Sequence, residues 1–146
     1  MKKRLYMSAV AAAVAGAFAV VMVAPASAAP SLLTPSTHHV NCGAWPVTEE
    51  NVFCEEVGFA NFTAIDLRIV AIEVADRNGP SQDFFTQPTG SNGCTEDRTL
   101  SPLENCQLFV FFDPSVTGHQ SARLNVFDDV SDANAARIRL GGRGTD

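Results

Sequence analysis

Beyond Lys3 the sequence contains no lysine, and it holds a single tryptophan and a single tyrosine among its 146 residues. From residue 29 onward no segment carries apolar residues at the 3.6-residue spacing of a helix over a convincing length, which excludes helical and α/β classes. The signatures of common chemistry are absent too. There is no G-x-S-x-G, no H-E-x-x-H and no Gly-rich phosphate loop, so hydrolase, zincin and nucleotide-transfer readings have no residues to rest on. We read the chain as non-enzymatic and as needing no cofactor.

What is present begins with Lys2, Lys3 and Arg4 ahead of an Ala/Val-rich run that ends at Ala26-Ser27-Ala28. A basic start, an apolar centre and a small-residue A-x-A site describe a secretory signal peptide over residues 1–28, with an uncleaved anchor as the competing reading. Residues 29–146 then suffice for one domain with one core. They carry seven arginines against sixteen acidic residues, a net charge of about −9. That balance argues against nucleic acid and anionic membranes as partners, because phosphate binding needs clustered positive charge. No lipobox cysteine follows the signal, and the sequence closes on the polar GGRGTD. A secreted protein is therefore expected, with periplasmic or signal-anchored forms as alternatives.

Four cysteines follow the signal: Cys42, Cys54, Cys94 and Cys106. An even number in an exported chain implies disulfides, and of three possible connectivities the local one is expected, Cys42 with Cys54 and Cys94 with Cys106. Both spacings are C-x11-C. Closing a loop of about 13 residues stabilises by roughly 3 kcal/mol in the chain-entropy account. A tetrathiolate zinc site is the rival reading, but zinc knuckles use shorter C-x2-4-C spacing.

Residues 29–41, APSLLTPSTHHVN, are rich in Pro, Ser and Thr and read as a flexible arm ahead of a domain at 42–146. Strand patterns come after it. Residues 55–62 and 67–75 are rich in Val, Ile and Phe. The second places Leu67 and Ile69 on one face and Val70, Ile72 and Val74 on the other, which suits an interior strand. Residues 76–83 read as a loop and Phe84-Phe85-Thr86-Gln87 as a short strand. Over 106–113, Leu108, Val110 and Phe112 alternate with Phe109 and Phe111, and Pro114 stops the ladder. Ala122, Leu124 and Val126 alternate with polar residues over 121–129, as Ile138 and Leu140 alternate with arginines over 135–142. Short strands at this spacing predict an all-β sandwich, stapled by two disulfides.

Cys94, Leu100, Pro102, Cys106, Val110, Phe112, Pro114, Gly118, Leu124, Val126, Leu140, Gly142 and Gly144 stand in an order and spacing that resembles the abnormal-spindle/hydin (ASH) type of immunoglobulin-like domain. That type is known in bacterial exported proteins as the choice-of-anchor D family. Its pattern runs cysteine, L-x-P-G-x-x-C, F-x-P, glycine, L-x-V and a closing L-x-G-x-G. Upstream, Asn61, Leu67, Ile69, Ile72 and Phe84 resemble the family's first half more weakly. Two departures stand out. Leu103 replaces the usual glycine, and the Cys42/Cys54 region lacks the usual first-strand pattern. The resemblance implies an immunoglobulin-like antiparallel β-sandwich of about seven to eight strands, used for binding or spacing, with no catalytic residues to carry over.

Other polar groups are candidates for function. His119 with Asp113 and Ser115 makes a triad on paper, but on a turn without an oxyanion donor. His38-His39 has no third metal ligand nearby. Asp128, Asp129, Asp132 and Asn134 gather oxygen ligands without the D-x-D-x-D-G order of a calcium loop, so no metal is assigned and the acids stand as candidate binding surface. Asn61-Phe62-Thr63 is formally a glycosylation sequon, in a chain whose Ala-rich signal and Lys-free, Ala/Arg-rich body look bacterial. Trp45 could anchor a partner or pack beside the Cys42–Cys54 loop. The leading expectation is a binding or structural module outside the cell, engaging a protein or cell-envelope component through loops or a strand edge. A secreted inhibitor of an extracellular hydrolase, presenting loop 94–106, and a carbohydrate-binding module are the alternatives.

Overall fold

The computed structural model describes residues 31–131 and 134–146. The signal peptide expected over 1–28, and Asp132, lie outside the described residues. Ten strands run in chain order among the described residues: β1 (Leu33–Pro35), β2 (His39–Pro46), β3 (Val52–Asn61), β4 (Leu67–Asp76), β5 (Gly79–Pro80), β6 (Phe84–Pro88), β7 (Thr99–Leu100), β8 (Asn105–Phe112), β9 (Gly118–Asp128) and β10 (Ala135–Thr145). A smaller sheet has the order β1-β3-β8-β6, and a larger one the order β2-β10-β9-β4-β5 with β7 pairing to β4. This is the expected immunoglobulin-like sandwich. The count exceeds seven or eight because β5 and β7 are two-residue pieces and because the first edge is divided between the sheets.

That division corrects the reading of residues 29–41 as an arm. Leu33–Pro35 pairs antiparallel with β3 in the smaller sheet, and from His39 the chain pairs parallel with β10 in the larger one. Leu33 and Val40 are both buried, so a Pro/Ser/Thr-rich segment is fastened by two apolar side chains and two ladders. Composition alone signals mobility; the tertiary partners override it.

Alternation along the later strands is as the sequence predicts. Leu108, Val110 and Phe112 of β8 face Leu124 and Val126 of β9 and Ile138 and Leu140 of β10 across a core in which each is essentially inaccessible. Strand β4 differs. Its register with β9 shifts between Ile69 and Ala71, a bulge that adds one residue and reverses the phase of the strand beyond it. Leu67 and Ile69 before it, and Ile72 and Val74 after it, therefore all pack on the core, while Val70 is 41% exposed. The strand is apolar on one face, not two. A second bulge, between Phe53 and Glu55 of β3, leaves both Glu55 and Glu56 in solvent while Val57 is buried.

Both expected disulfides form. Cys42 of β2 and Cys54 of β3, with Cα atoms 4.7 Å apart, join one sheet to the other, and Cys94 is joined to Cys106 at the start of β8. The 94–106 excursion also holds itself down more than its polarity suggests. Leu100 of β7 is fully buried beside Leu67, and the Arg98 guanidinium donates to the Gly93 carbonyl at 2.8 Å and to Asn92 Oδ1 at 3.0 Å.

The closing Leu140-x-Gly142-x-Gly144 has a steric cause. A Cβ on Gly142 would lie 2.7 Å from the Phe112 ring, which stacks on Phe84 with centroids 4.7 Å apart. One on Gly144 would strike the Val116 carbonyl. Glycine at these two inward positions lets β10 approach the core and the 113–117 crossover.

Candidate functional site

Several of the polar groups singled out from the sequence turn out to be internally committed. Asp128 is buried, and its carboxylate accepts from the Ser131 amide at 2.7 Å, the Ser131 hydroxyl at 2.6 Å and the Val130 amide at 3.0 Å. It folds the loop after β9 and offers nothing to a partner, which corrects its assignment to a binding surface. Asp129 Oδ1 accepts from the Arg68 amide at 2.9 Å, and its other oxygen lies 3.9 Å from Arg68 Nε. Trp45 is 40% exposed, and its indole N–H is used by the Cys42 carbonyl at 2.7 Å. The ring lies against the β2 edge rather than in the core.

The drawn triad is not brought together. Ser115 bonds Asp83, at 2.5 Å from its hydroxyl, while His119 lies opposite Arg143 in the β9–β10 ladder. Among the described residues no group of three His, Cys, Asp or Glu side chains is placed to hold a metal ion. Asn61 of the sequon is inaccessible. Its amide donates to the carbonyls of Ile65 and Leu100 at 2.7 and 2.8 Å, and its side-chain oxygen accepts from the Thr63 amide and hydroxyl. The residue is a joint between β3, the following loop and β7.

The smaller sheet presents an aromatic surface whose chemistry is not consumed by the fold. On its outer side Phe53 of β3, Phe111 of β8 and Phe85 of β6 occupy a single cross-strand row. Phe109 stands in the next row, between Glu56 and Gln87. Phe85 stacks on Phe111 with centroids 5.1 Å apart and planes 10° apart, whereas Phe53 meets Phe109 and Phe111 edge-on at 85° and 67°. Phe53 is 55% exposed and the other three are partly exposed. Four aromatic rings with a polar rim form the pattern of a docking surface, and the edge-on contacts of Phe53 with Phe109 and Phe111 keep the four from forming one flat platform. The outward Phe109 and Phe111 follow from the alternation in β8. Phe53 and Phe85 were not legible as site residues, because their place beside Phe111 depends on strand pairing.

Edges of the sheets offer less. β1 spans three residues, β6 five and ends in Pro88, and β5 two. Short, proline-blunted edges oppose strand addition. The longer β2 edge is broken by Gly43 at φ +76° and by a register shift against β10.

No protein-family model matches the sequence, and no curated protein does. Solved structures do resemble it. The chain is similar to the VesB protease of Vibrio cholerae at 18% identity, over 77% of this chain and 32% of that one, with a TM-score of 0.57. It is similar to the E. coli chaperone DraB at 13% identity, over 77% and 54%, with a TM-score of 0.53. A third likeness is the ASH/PapD-like domain 7 of human CEP192, at 15% identity over 90% and 98%, with a TM-score of 0.49. The chain thus spans about a third of the protease and about half of the chaperone. At these identities the likeness is one of fold alone: an immunoglobulin-like sandwich. The two disulfides suit such a fold to an oxidising compartment.

Proposed function

We propose that the chain is an exported binding module of the choice-of-anchor D kind, which acts outside the cytoplasm by docking a protein of the cell envelope onto its smaller sheet. The observation that carries this reading is the row Phe53-Phe111-Phe85 with Phe109 beside it, exposed on the outer side of a sheet whose inner side already fills the core. Apolar rings left in water are a standing cost that only a partner removes. Apolar rings with a polar rim that includes Glu56 and Gln87 suit adhesion. Removal of the expected signal at 1–28 and release from the cell belong to the same reading.

The test is capture from a solubilised envelope fraction on immobilised protein, comparing the wild-type chain with a Phe53→Ser/Phe109→Ser variant of matched thermal stability. The account expects a defined set of proteins retained by the first and lost from the second. Equal retention by both would remove the aromatic face as the docking surface.

A further inference from the structure

The outer face of the larger sheet has the opposite character. Arg123 of β9 lies directly opposite Arg139 of β10, and Arg139 lies directly opposite His39 of β2. Further along the same ladder Arg143 faces His119. Arg137 extends the row along β10, and all four arginines and both histidines are exposed. Like charges directly across a ladder destabilise a sheet, and the usual remedy is absent. Among the described residues the ion pairs are those of Arg68, with Asp97 and Asp129, so no carboxylate lies within bridging distance of Arg123, Arg137, Arg139 or Arg143. Arg77 borders the same face, where Asp76 and the exposed Glu73 of β4, opposite Asn125, are the acids, neither of them ion-paired to these arginines. A chain with a net charge of about −9 beyond its signal therefore concentrates its cations on one side. Net acidity disfavours polyanions only where the cations are dispersed, and here they are not.

Between Arg139 and Arg143 the outward position is Gly141, flanked by Asn41 on β2 and Ser121 on β9. The result is a shallow trough with a backbone floor, hydroxyl and amide sides and cationic ends. Along β10 those ends are about 13 Å apart, and Arg123 stands about 5 Å from Arg139 across the ladder. No Phe, Tyr or Trp lines the trough. Protein partners need an apolar centre, single-stranded nucleic acid needs stacking rings, and duplex DNA needs an element that enters a groove. A flat, ringless, arginine-rich trough meets none of these requirements. It suits a linear chain of hydroxyl groups with anionic groups at intervals, since guanidinium forks bind carboxylate, sulfate and phosphate oxygens in pairs.

We propose that this face binds an anionic polysaccharide, with one acidic group held by Arg123, Arg139 and His39 and a second by Arg143 and His119, the sugar backbone crossing Gly141. The site is separate from the aromatic face on the other sheet. Two cationic ends require two anionic groups on one ligand, so a polymer binds far more tightly than its monosaccharide.

The test uses the full chain with polygalacturonate and heparin as probes, and dextran and a 20-base-pair DNA duplex as comparators, by calorimetry at low and physiological salt. The expected result is binding to at least one polyanion, weakened by salt, tenfold or more weaker in an Arg123→Ser/Arg139→Ser variant and absent with dextran. That variant should unfold no earlier than the wild type, because it removes a repulsion, so loss of binding will not reflect loss of fold. Three outcomes would overturn the proposal: no binding to either polyanion, equal binding by the variant, or duplex DNA bound as tightly as the polysaccharide.

Discussion

The amide of Leu103 donates to the carbonyl of Asn61 at 2.8 Å while Leu103 itself sits at φ +69°. Pro102 precedes it, and the Glu104 amide closes the turn on the Ser101 carbonyl at 2.9 Å. Proline second and positive φ third is the requirement of a type II turn, which favours glycine at the third place. Leu103 is thus a leucine in a glycine's conformation, and at 77% exposed it gains little from packing.

Replacing Leu103 with glycine should stabilise the protein by about 0.5–1 kcal/mol, the relief of left-handed strain less the extra freedom of the unfolded chain. Urea unfolding of Leu103→Gly checks this. A midpoint at or below that of the wild type would mean that the turn carries no strain.

Asn61 holds the other side of the same joint. Asn61→Ala leaves the Ile65 and Leu100 carbonyls and the Thr63 amide without their partner, and we expect a loss of about 3 kcal/mol. Hydrogen exchange should show the loss locally, as faster exchange in 61–66 and 99–104. Uniform exchange with an unchanged melting point would deny the residue this role.

Three glycines of β10 should respond to alanine in different ways. Gly144→Ala meets the Val116 backbone and Gly142→Ala the Phe112 ring, and each should cost about 1–3 kcal/mol. Gly141 points outward, with only the His39 ring at 3.7 Å, so Gly141→Ala should be neutral or slightly stabilising. Thermal melts of the three variants decide the matter, and equal effects would contradict the assignment of faces.

Removing the inter-sheet bridge as Cys42→Ala/Cys54→Ala should lower stability by about 3 kcal/mol. With it removed, exchange protection should fall first in β2, which otherwise rests on its parallel ladder with β10. Protection unchanged in β2 would show that the bridge does not fasten that edge.

Much of this molecule is written in short-range pattern. Val110, Leu124 and Ile138 declare their inward faces by alternation, and the spacing of the four cysteines points to the correct pairs. The features that were not legible all depend on what a strand lies beside. The bulge at Val70 turns Ile72 and Val74 inward, the partners of Leu33 and Val40 turn an arm into two strands, and Asp128 looks exposed until Ser131 folds over it. The same limit hid both surfaces. Phe53 and Phe85 become neighbours of Phe111, and His39 and Arg123 become neighbours of Arg139, only through registers that no single strand encodes.

The most direct measurement of the central claim is photocrosslinking in cells that make the protein, with benzoylphenylalanine placed at position 53 and, for comparison, at Val116, which is similarly exposed on a loop. The account predicts a discrete protein adduct from position 53 and none of that mass from position 116. Adducts that are identical from both positions, or absent at 53, would contradict docking through the aromatic face.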